Sequence, residues 1–205
     1  MSLTHLILAS SNEGKLKEFK ALLAPLGWKV EGQQDHDVRD VEETGLSFAE
    51  NAILKARNAS KHTGLPALAD DSGLEVEALK GAPGVFSARY AGEGASDEEN
   101  NAKLLEALKD VPPQERIARY WCVLALIRHA EDPTPILIHA SWEGYILNKP
   151  QGTGGFGYDP LFLIPEMKKT AAQLTLEEKN RASHRGKASS RLLEMLLMRQ
   201  IHGFS

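Results

Sequence analysis

The segment that most restricts the fold of this chain is an apolar run at residues 118–128. Every position from Tyr120 to Leu126 is apolar, so both sides of a strand formed here would be apolar. A strand of that kind belongs inside a sheet that helices cover on both faces. Residues 136–147 follow after a short, proline-containing connection, which predicts the antiparallel neighbour of this strand. The chain is therefore predicted to be an α/β protein with a mixed sheet.

Capping signals place helices earlier in the chain. Ser47 with Glu50 forms one capping box, and Ser96 with Glu99 forms another. The helix after Ser47 is rich in alanine and is expected to end near Gly64, because glycine is the preferred residue just past a helix C-terminus.

Other elements follow from hydrophobic periodicity. A strand is predicted at residues 3–9, followed by a helix that runs to about residues 25–27. Strand segments are predicted at residues 66–69 and 74–79, on either side of the polar sequence Asp-Asp-Ser-Gly. Leucines at helical spacing within 192–197 predict a C-terminal amphipathic helix.

Composition restricts the class of protein. The chain has 205 residues, 42% of them hydrophobic, and residues 1–205 are predicted to form a single domain. Its net charge of −4 argues against nucleic acid or an anionic membrane as a partner, since either would require a basic face. Cys122 is the single cysteine, and the sequence lacks a signal-peptide pattern or an apolar run approaching 18 residues. A cytoplasmic protein is therefore expected.

A strand–turn–helix junction near the start of the chain is suited to phosphate. The apolar strand ends at Ala9, and the next six residues are Ser10, Ser11, Asn12, Glu13, Gly14 and Lys15. A helix N-terminus presents unpaired N–H groups and a positive dipole end, which bind phosphate. The run is not a Walker A loop, because Ala9 and Leu16 stand where that motif needs Gly and Ser or Thr. An ordinary capped helix start is the alternative. Lys15 argues against it, because a cation in the first turn of a helix is unfavourable unless an anion lies nearby.

Two acidic stretches are candidates for holding a divalent cation. Glu42 and Glu43 lie in a loop before a predicted helix, and Asp70 and Asp71 lie at a strand end. The alternatives are solvated surface for the first stretch and a simple turn for the second. Because side chains alternate along a strand, only one aspartate can face a given site. Mg²⁺ prefers one or two carboxylates with substrate phosphates and waters, and Glu42 with Asp71 supplies that number.

A glycine-rich loop at residues 152–160 is a candidate ligand-binding segment. Four glycines within six residues let the backbone approach a ligand closely, and Phe156 and Tyr158 could stack on a base. A plain flexible loop is the alternative. Lys179 and the Ser-His-Arg-Gly run at 183–186 add hydrogen-bond donors, although such side chains are most often solvated surface.

Taken together, the sequence resembles the inosine triphosphate pyrophosphatase family, and its bacterial branch in particular. The blocks that carry the resemblance are, in order, LASSNEGKLKE, EETGLSFAENAILKA, ALADDSGLEV, GAPGVFSARYAG, GTGGFGYDP and EEKNRASHRGKA. One block alone is weak, but six in this order over nearly the whole chain are specific. The first block has Ser10-Ser11 where relatives often have Thr-Gly.

The resemblance implies a fold and an activity. The expected fold is two-lobed α/β, with a long mixed central sheet flanked by helices, an active-site cleft between the lobes and a homodimeric assembly. The expected activity is Mg²⁺-dependent hydrolysis of purine nucleoside triphosphates with damaged bases (dITP, ITP, XTP and dXTP). The products would be the monophosphate and pyrophosphate, which removes such nucleotides before they enter DNA or RNA.

The resemblance also implies roles for individual residues. Residues 10–15 would bind the triphosphate, with Lys55 and Arg89 as further phosphate contacts. Glu42 and Asp71 would hold one Mg²⁺ per subunit, which Mn²⁺ could replace, and Asp71 would be the general base. Further substrate contacts, mostly around the base, would come from Ser72, Phe156, Gly157, Tyr158, Asp159, Lys179, His184 and Arg185.

Two other functions share parts of this pattern. A related pyrophosphatase family acts on pyrimidine or modified nucleotides, but it opens with Ala-Ser-x-Ser followed by Arg, whereas this chain has Asn12 and Lys15. A non-catalytic nucleotide sensor would need the predicted phosphate-binding turn at residues 10–15 but not the acid pair of Glu42 and Asp71. A substrate panel separates the first alternative, and ITP binding without turnover would indicate the second.

Overall fold

The structure is a computed structural model that describes residues 4–202, with side chains described for residues 4–198. The helices in this part of the chain are α1 Glu13–Leu23, α2 Phe48–Thr63, α3 Asp97–Ala107, α4 Leu176–Ala182 and α5 His184–His202. The strands are β1 His5–Leu8, β2 Lys29–Gly32, β3 Ala67–Val76, β4 Ile117–Ile127, β5 Ile136–Ile146, β6 Phe162–Ile164 and β7 Lys169–Thr170.

The strands form one mixed sheet in the order β2-β1-β3-β4-β5-β6-β7. β1 pairs in parallel with β2 and with β3, whereas β6 pairs antiparallel with both β5 and β7. Helices flank this sheet, so the predicted α/β class with a mixed central sheet is confirmed.

The central strand lies where its sequence predicted. β4 occupies residues 117–127, against the predicted 118–128, and residues 122–127 are all buried. β5 is its hydrogen-bonded neighbour in the sheet and ends at Ile146, one residue before the predicted limit. Burial on both sides is the reason that this run is apolar at consecutive positions.

The helix limits also follow the capping signals. The Ser47 side chain accepts a hydrogen bond from Glu50 N–H, and α2 ends at Thr63, followed by the C-cap Gly64 with φ +71°. The reciprocal box between Ser96 and Glu99 opens α3. Both predicted helices are therefore confirmed.

The prediction of two separate strand segments within residues 66–79 is wrong, and so is the alternative of a turn between them. Residues 67–76 form one continuous strand, and residues 77–79 are a short 3-10 turn. Asp70 and Asp71 stay within the strand because each pairs with a lysine, so neither buried carboxylate is left without a partner. Tertiary contacts here outweigh the turn preference of Asp-Ser-Gly.

The chain divides into two compact units, each built from separate stretches of sequence. Unit 1 comprises the residues up to Asp71, Val123–His139 and the residues from Ala188 onward, and unit 2 comprises Ser72–Cys122 and Ala140–Lys187. The assignment of residues 1–205 to a single domain stays a prediction.

The two units have cores of different composition. In unit 1 the small side chains of Ala52, Ala56 and Ala59 on α2 pack on Ala67 and Ala69 of β3. The core of unit 2 instead contains large rings, and its aromatic members are Tyr120, Trp142, Tyr158 and Phe162. Within residues 4–202, no helix combines the length and the hydropathy needed to cross a membrane.

Candidate phosphate site and base loop

The phosphate turn, residues 10–15, connects β1 to α1 in unit 1. Asn12 is the N-cap of α1, and its side-chain oxygen accepts a hydrogen bond from Lys15 N–H at 3.0 Å. Ser10 Oγ accepts from Asn12 N–H at 3.2 Å, which leaves the Ser10 hydroxyl proton available to a ligand. A Cβ atom at Gly14 would lie 3.0 Å from the Asn12 cap oxygen, so glycine keeps this cap unobstructed.

A cavity of about 370 Å³ lies at this turn. Its lining includes Ser10, Ser11, Asn12 and Glu13 together with Lys17 and Lys20 of α1. The first N–H groups of a helix and its positive dipole end face such a space, so the turn has the geometry of an anion site.

Ser11 differs from Ser10 in what its hydroxyl contacts. The Ser11 hydroxyl donates to Asp40 Oδ2 at 3.0 Å, and the buried Gln33 amide donates to the other oxygen of the same carboxylate. A serine hydroxyl has one proton to donate. Ser11 therefore ties the turn to residues 33–40, and its backbone is the part left to meet a phosphate.

Two lysine–aspartate pairs join β3 to the helices of unit 1. Asp70 accepts from Lys15 of α1 at 2.8 and 2.9 Å, and Asp71 accepts from Lys55 of α2 at 2.7 Å. Consecutive strand residues point to opposite faces, so the two carboxylates meet different helices. The anion that the sequence predicted beside Lys15 is, in this structure, a protein carboxylate.

The two charges of the second pair affect each other's pKa. Burial raises the pKa of Asp71, and the Lys55 ammonium opposes this rise without cancelling it. Burial alone would lower the pKa of Lys55, but the carboxylates of Asp71 and Asp70 outweigh it and the pKa of Lys55 is raised. Asp71 thus combines a basic carboxylate with a neighbouring cation.

The loop acids before α2 separate into two environments. Glu43 accepts from Lys55 Nζ at 2.9 Å, so this ammonium lies between Glu43 and Asp71. Glu42 is exposed and makes no hydrogen bond or ion pair to any described residue.

This donor set fits a hard divalent cation. An ammonium already lies between two carboxylates here, which shows that the place favours positive charge, and carboxylate oxygens are the ligands that Mg²⁺ prefers. Among the described residues, no three His, Cys, Asp or Glu side chains are grouped to hold a metal. An ion at Asp71 would therefore need oxygens from substrate and water.

The base loop, residues 152–159 of unit 2, is organised by a buried carboxylate. Asp159, 2% exposed, accepts from Phe156 N–H at 2.9 Å, from the Lys179 ammonium and from the Tyr120 hydroxyl at 3.4 Å. Gly155 has φ +76°, and a Cβ there would overlap the Asp159 carboxylate. The buried Asp159 carboxylate therefore fixes the backbone conformation of the loop at residues 155–156.

The two aromatic residues of the base loop have opposite environments. Phe156 is 59% exposed, with Lys179 Nζ 4.6 Å and Arg185 Cζ 5.8 Å from its ring centroid. Tyr158 is buried in the core of unit 2, and its hydroxyl donates to Ser87 O at 2.8 Å. Of the two predicted stacking rings, Tyr158 is packed in the core and Phe156 is exposed.

The remaining predicted residues are placed as follows. His184, at the start of α5, is buried and stacks on the Tyr120 ring at 4.8 Å. Burial raises the pKa of that Tyr120 hydroxyl well above its usual range, so it stays a neutral donor. Ser72 follows Asp71 on β3 and is half-buried, while Arg89 pairs with Glu93 at 3.3 Å.

Several contacts were not predicted from the sequence. Side-chain alternation indicates that Asp70 and Asp71 face opposite sides of the strand, but it does not identify Lys15 as the partner of Asp70. The link from Ser11 to Asp40 joins residues 29 positions apart, and no periodicity indicates it. The position of Asp159 beneath the base loop likewise depends on the fold of that loop.

Comparison with known proteins gives a consistent assignment. A sequence profile of the Ham1 family matches residues 6–195, and the chain belongs to that family. It is 59% identical over 190 residues to a dITP/XTP pyrophosphatase of Shigella flexneri, which covers 93% of this chain and 96% of the relative. The protein of the same name from Escherichia coli K12 is 57% identical over the same shares of each chain.

Solved structures agree with this assignment. A HAM1 protein from Coxiella burnetii superposes with a TM-score of 0.92 and 50% identity, covering 95% of this chain and 98% of that one. The Staphylococcus aureus Ham1 protein gives a TM-score of 0.88 and 41% identity over 95% and 99% of the two chains.

Proposed function

We propose that this protein is a nucleoside triphosphate pyrophosphohydrolase that acts on deaminated purine nucleotides, dITP, ITP, XTP and dXTP. The observation that carries the proposal is the pairing of Asp71 with Lys55, next in the strand to Asp70, which pairs with Lys15 in the first turn of α1. The names of the relatives, which share over half of their residues with this chain, support the same substrates.

Unit 1 supplies the groups for the triphosphate. The Ser10 hydroxyl and the N–H groups at the start of α1 donate to phosphate oxygens, and Lys15 and Lys55 neutralise charge. Both ammonium groups are already fixed by carboxylates, so little side-chain ordering remains for substrate binding.

The reaction is in-line attack of water on the α-phosphorus, with pyrophosphate as the leaving group. Asp71 accepts the proton of the attacking water, a contribution of about 10²–10⁴-fold. Lys15 and Lys55 stabilise the negative charge that accumulates on the departing pyrophosphate.

A divalent cation fits this chemistry. Asp71 and the exposed Glu42 would hold Mg²⁺, or Mn²⁺ in its place, while Glu43 stays with Lys55. When bound, the ion supplies charge neutralisation and orientation of phosphate oxygens.

Unit 2 supplies recognition of the base. Phe156 offers an exposed ring on which a purine can stack, and stacking is worth about 1–3 kcal/mol per base. Lys179, His184 and Arg185 provide donors for the 6-keto oxygen of hypoxanthine or xanthine. Adenine carries an amino donor at that position, so it would leave these groups without an acceptor. A polar mismatch of that kind can discriminate by about 10⁴–10⁵-fold.

Product analysis tests the proposal. Purified protein with MgCl₂ is incubated with ITP, dITP, XTP, ATP, GTP, dUTP and dTTP, and nucleotides and phosphates are separated by ion-exchange chromatography. We expect monophosphate and pyrophosphate from the first three substrates and loss of turnover with EDTA. Orthophosphate as the product would refute attack at the α-phosphorus, and preference for dUTP or dTTP would indicate the pyrimidine-acting family.

The assembly and location are part of the same proposal. We infer a homodimer in the cytoplasm that removes deaminated nucleotides from the precursor pool. Light scattering coupled to gel filtration tests the dimer, for which twice the chain mass of 22.5 kDa is expected. Elution at the single-chain mass at micromolar concentration would refute it.

A further inference from the structure

The start of α3 holds the base loop through one glycine. Gly157 N–H donates to Asp97 Oδ2 at 2.6 Å, and the Gly157 carbonyl accepts from Asn101 Nδ2 at 2.8 Å. Asp97 and Asn101 are four residues apart and so lie on one face of the helix. Both backbone polar groups of a residue beside Phe156 are thus bound by side chains of a regular element.

This part of α3 is itself well ordered by hydrogen bonds. Asn101 Nδ2 also donates to Asp97 O at 2.8 Å, and the reciprocal box of Ser96 and Glu99 caps the helix. A carboxylate in the first turn of a helix is stabilised by the helix dipole. Asp97 is therefore a fixed acceptor for the Gly157 N–H group.

The same helix also binds the segment at residues 87–91, to which Tyr158 is hydrogen-bonded. Asn100 of α3 accepts from Ala91 N–H at 2.7 Å and donates to Ala88 O at 3.2 Å. Tyr158, next to Gly157, donates to Ser87 O in this segment. The base loop is consequently connected to α3 by a direct and an indirect path.

Phe156 is the residue whose position these contacts determine. Its own N–H group is held by Asp159, and the next residue is held by α3, so the backbone on both sides of the Phe156 side chain is bound. The ring itself is 59% exposed, and its side-chain contacts include the cations of Lys179 and Arg185, 4.6 and 5.8 Å from the ring centroid. The backbone bonds therefore fix the point from which the ring projects toward these cations.

We propose that Asp97 and Asn101 are positioning residues for purine recognition, acting through Gly157 on the stacking ring of Phe156. This inference rests on the proposed function and extends it to residues that do not touch the base. Loss of the charge-assisted bond from Gly157 to Asp97 would let the loop shift and weaken base binding.

Steady-state kinetics with ITP tests the proposal. Asp97→Ala is compared with Glu98→Ala, which removes an exposed acid from the same first turn but not the bond to Gly157. We expect Asp97→Ala to raise KM for ITP about 5- to 50-fold, with kcat within about twofold. Asp97→Asn retains an acceptor oxygen and should recover most of the affinity, and Glu98→Ala should match the parent protein.

A base-free competitor separates positioning from general damage. Inorganic tripolyphosphate, used as a competitive inhibitor, should give the same inhibition constant with Asp97→Ala as with the parent protein. Asn101→Ala, which keeps the bond from Gly157 to Asp97, should show a smaller rise in KM. Equal KM values for Asp97→Ala and Glu98→Ala, or weakening of tripolyphosphate and ITP by the same factor, would overturn the inference.

The experiment also distinguishes the two proposals. A parent protein that does not turn over ITP overturns the proposed function and the inference with it. A parent protein that turns over ITP while Asp97→Ala behaves like Glu98→Ala overturns the inference alone.

Discussion

Two parts of this protein are fixed in different ways: the base loop, and the phosphate region, by which we mean the phosphate turn together with the Lys15–Asp70 and Lys55–Asp71 pairs. In the phosphate region, charged side chains hold each other, as in the Lys15–Asp70 and Lys55–Asp71 pairs. In the base loop, the exposed Phe156 is held mainly through backbone groups that Asp159 and Asp97 bind. Under the proposed function, substrate phosphates meet lysines that carboxylates already hold, whereas a base meets an exposed ring that lies beside the cations of Lys179 and Arg185.

This difference has a practical consequence for mutagenesis. A change in the phosphate region alters both charge balance and fold, because its functional lysines also neutralise buried carboxylates. A change at the tip of the base loop alters binding with little effect on folding, because an exposed side chain contributes little to stability. The predictions below use that contrast.

The largest effect is expected from Asp71→Asn. The amide cannot accept the proton of the attacking water, so kcat for ITP should fall about 10²–10⁴-fold. Lys55 keeps its bond to Glu43, which preserves the local fold. Kinetics and circular dichroism measure the two effects, with Asp110→Asn, an exposed change, as the control. Retention of more than about half of kcat would exclude Asp71 as the base.

A large loss of stability is expected from Lys15→Met. It removes the ammonium that contacts the nearly inaccessible Asp70 carboxylate at 2.8 Å, and breaking a buried pair costs about 3–5 kcal/mol. Phe156→Ala should cost less than about 0.5 kcal/mol and instead raise KM for ITP about tenfold. Urea denaturation and kinetics measure both variants. A Lys15→Met variant with the same urea midpoint as the parent protein would refute the conclusion that ion pairs stabilise the phosphate region.

A third carboxylate in unit 1 predicts a pH dependence of stability. Arg128 lowers the pKa of Asp132 below its usual range, with Arg128 Nε 2.9 Å from the carboxylate. A lowered pKa contributes stability above the ordinary aspartate pKa of about 3.9, and that stability is lost as pH falls through the folded-state value. Asp132→Asn should therefore destabilise the protein at pH 7, with a difference from the parent that shrinks below pH 4. Melting temperatures between pH 3 and 7 measure it, and a difference that is constant with pH would contradict this assignment.

The smallest effect is expected from Ser11→Ala. Its hydroxyl donates to Asp40, so its loss should change KM for ITP by less than about threefold. Ser10→Ala should raise KM more, because that hydroxyl is free to donate to phosphate. A larger effect at Ser11 than at Ser10 would show that the Asp40 bond breaks when substrate binds.

Local signals predicted much of the fold. The doubly apolar β4 and the two capped helices depend on neighbours within a few residues, and the observed limits match closely. The continuous strand through Asp70 and Asp71 could not be predicted in that way. It depends on two lysines that lie 55 and 16 positions away in the chain.

The candidate site was predictable to a similar extent. The phosphate turn follows from a strand–helix junction in the sequence, whereas the identity of its cap residue, Asn12, comes from the structure. The different environments of Glu42 and Glu43, or of Phe156 and Tyr158, depend on which side of a loop faces the core. Adjacent residues of similar type do not carry that information.

The pairing of Lys15 with Asp70 has a consequence for the end of the catalytic cycle. Under the proposed function, the same ammonium must release a highly charged product after each turnover. When the product dissociates, the Asp70 carboxylate can pair again with Lys15. This pairing offsets part of the free-energy cost of breaking the contact between Lys15 and the product. Pyrophosphate release should therefore be fast. Inhibition by accumulated pyrophosphate should be weaker than in a variant that lacks the Asp70 carboxylate.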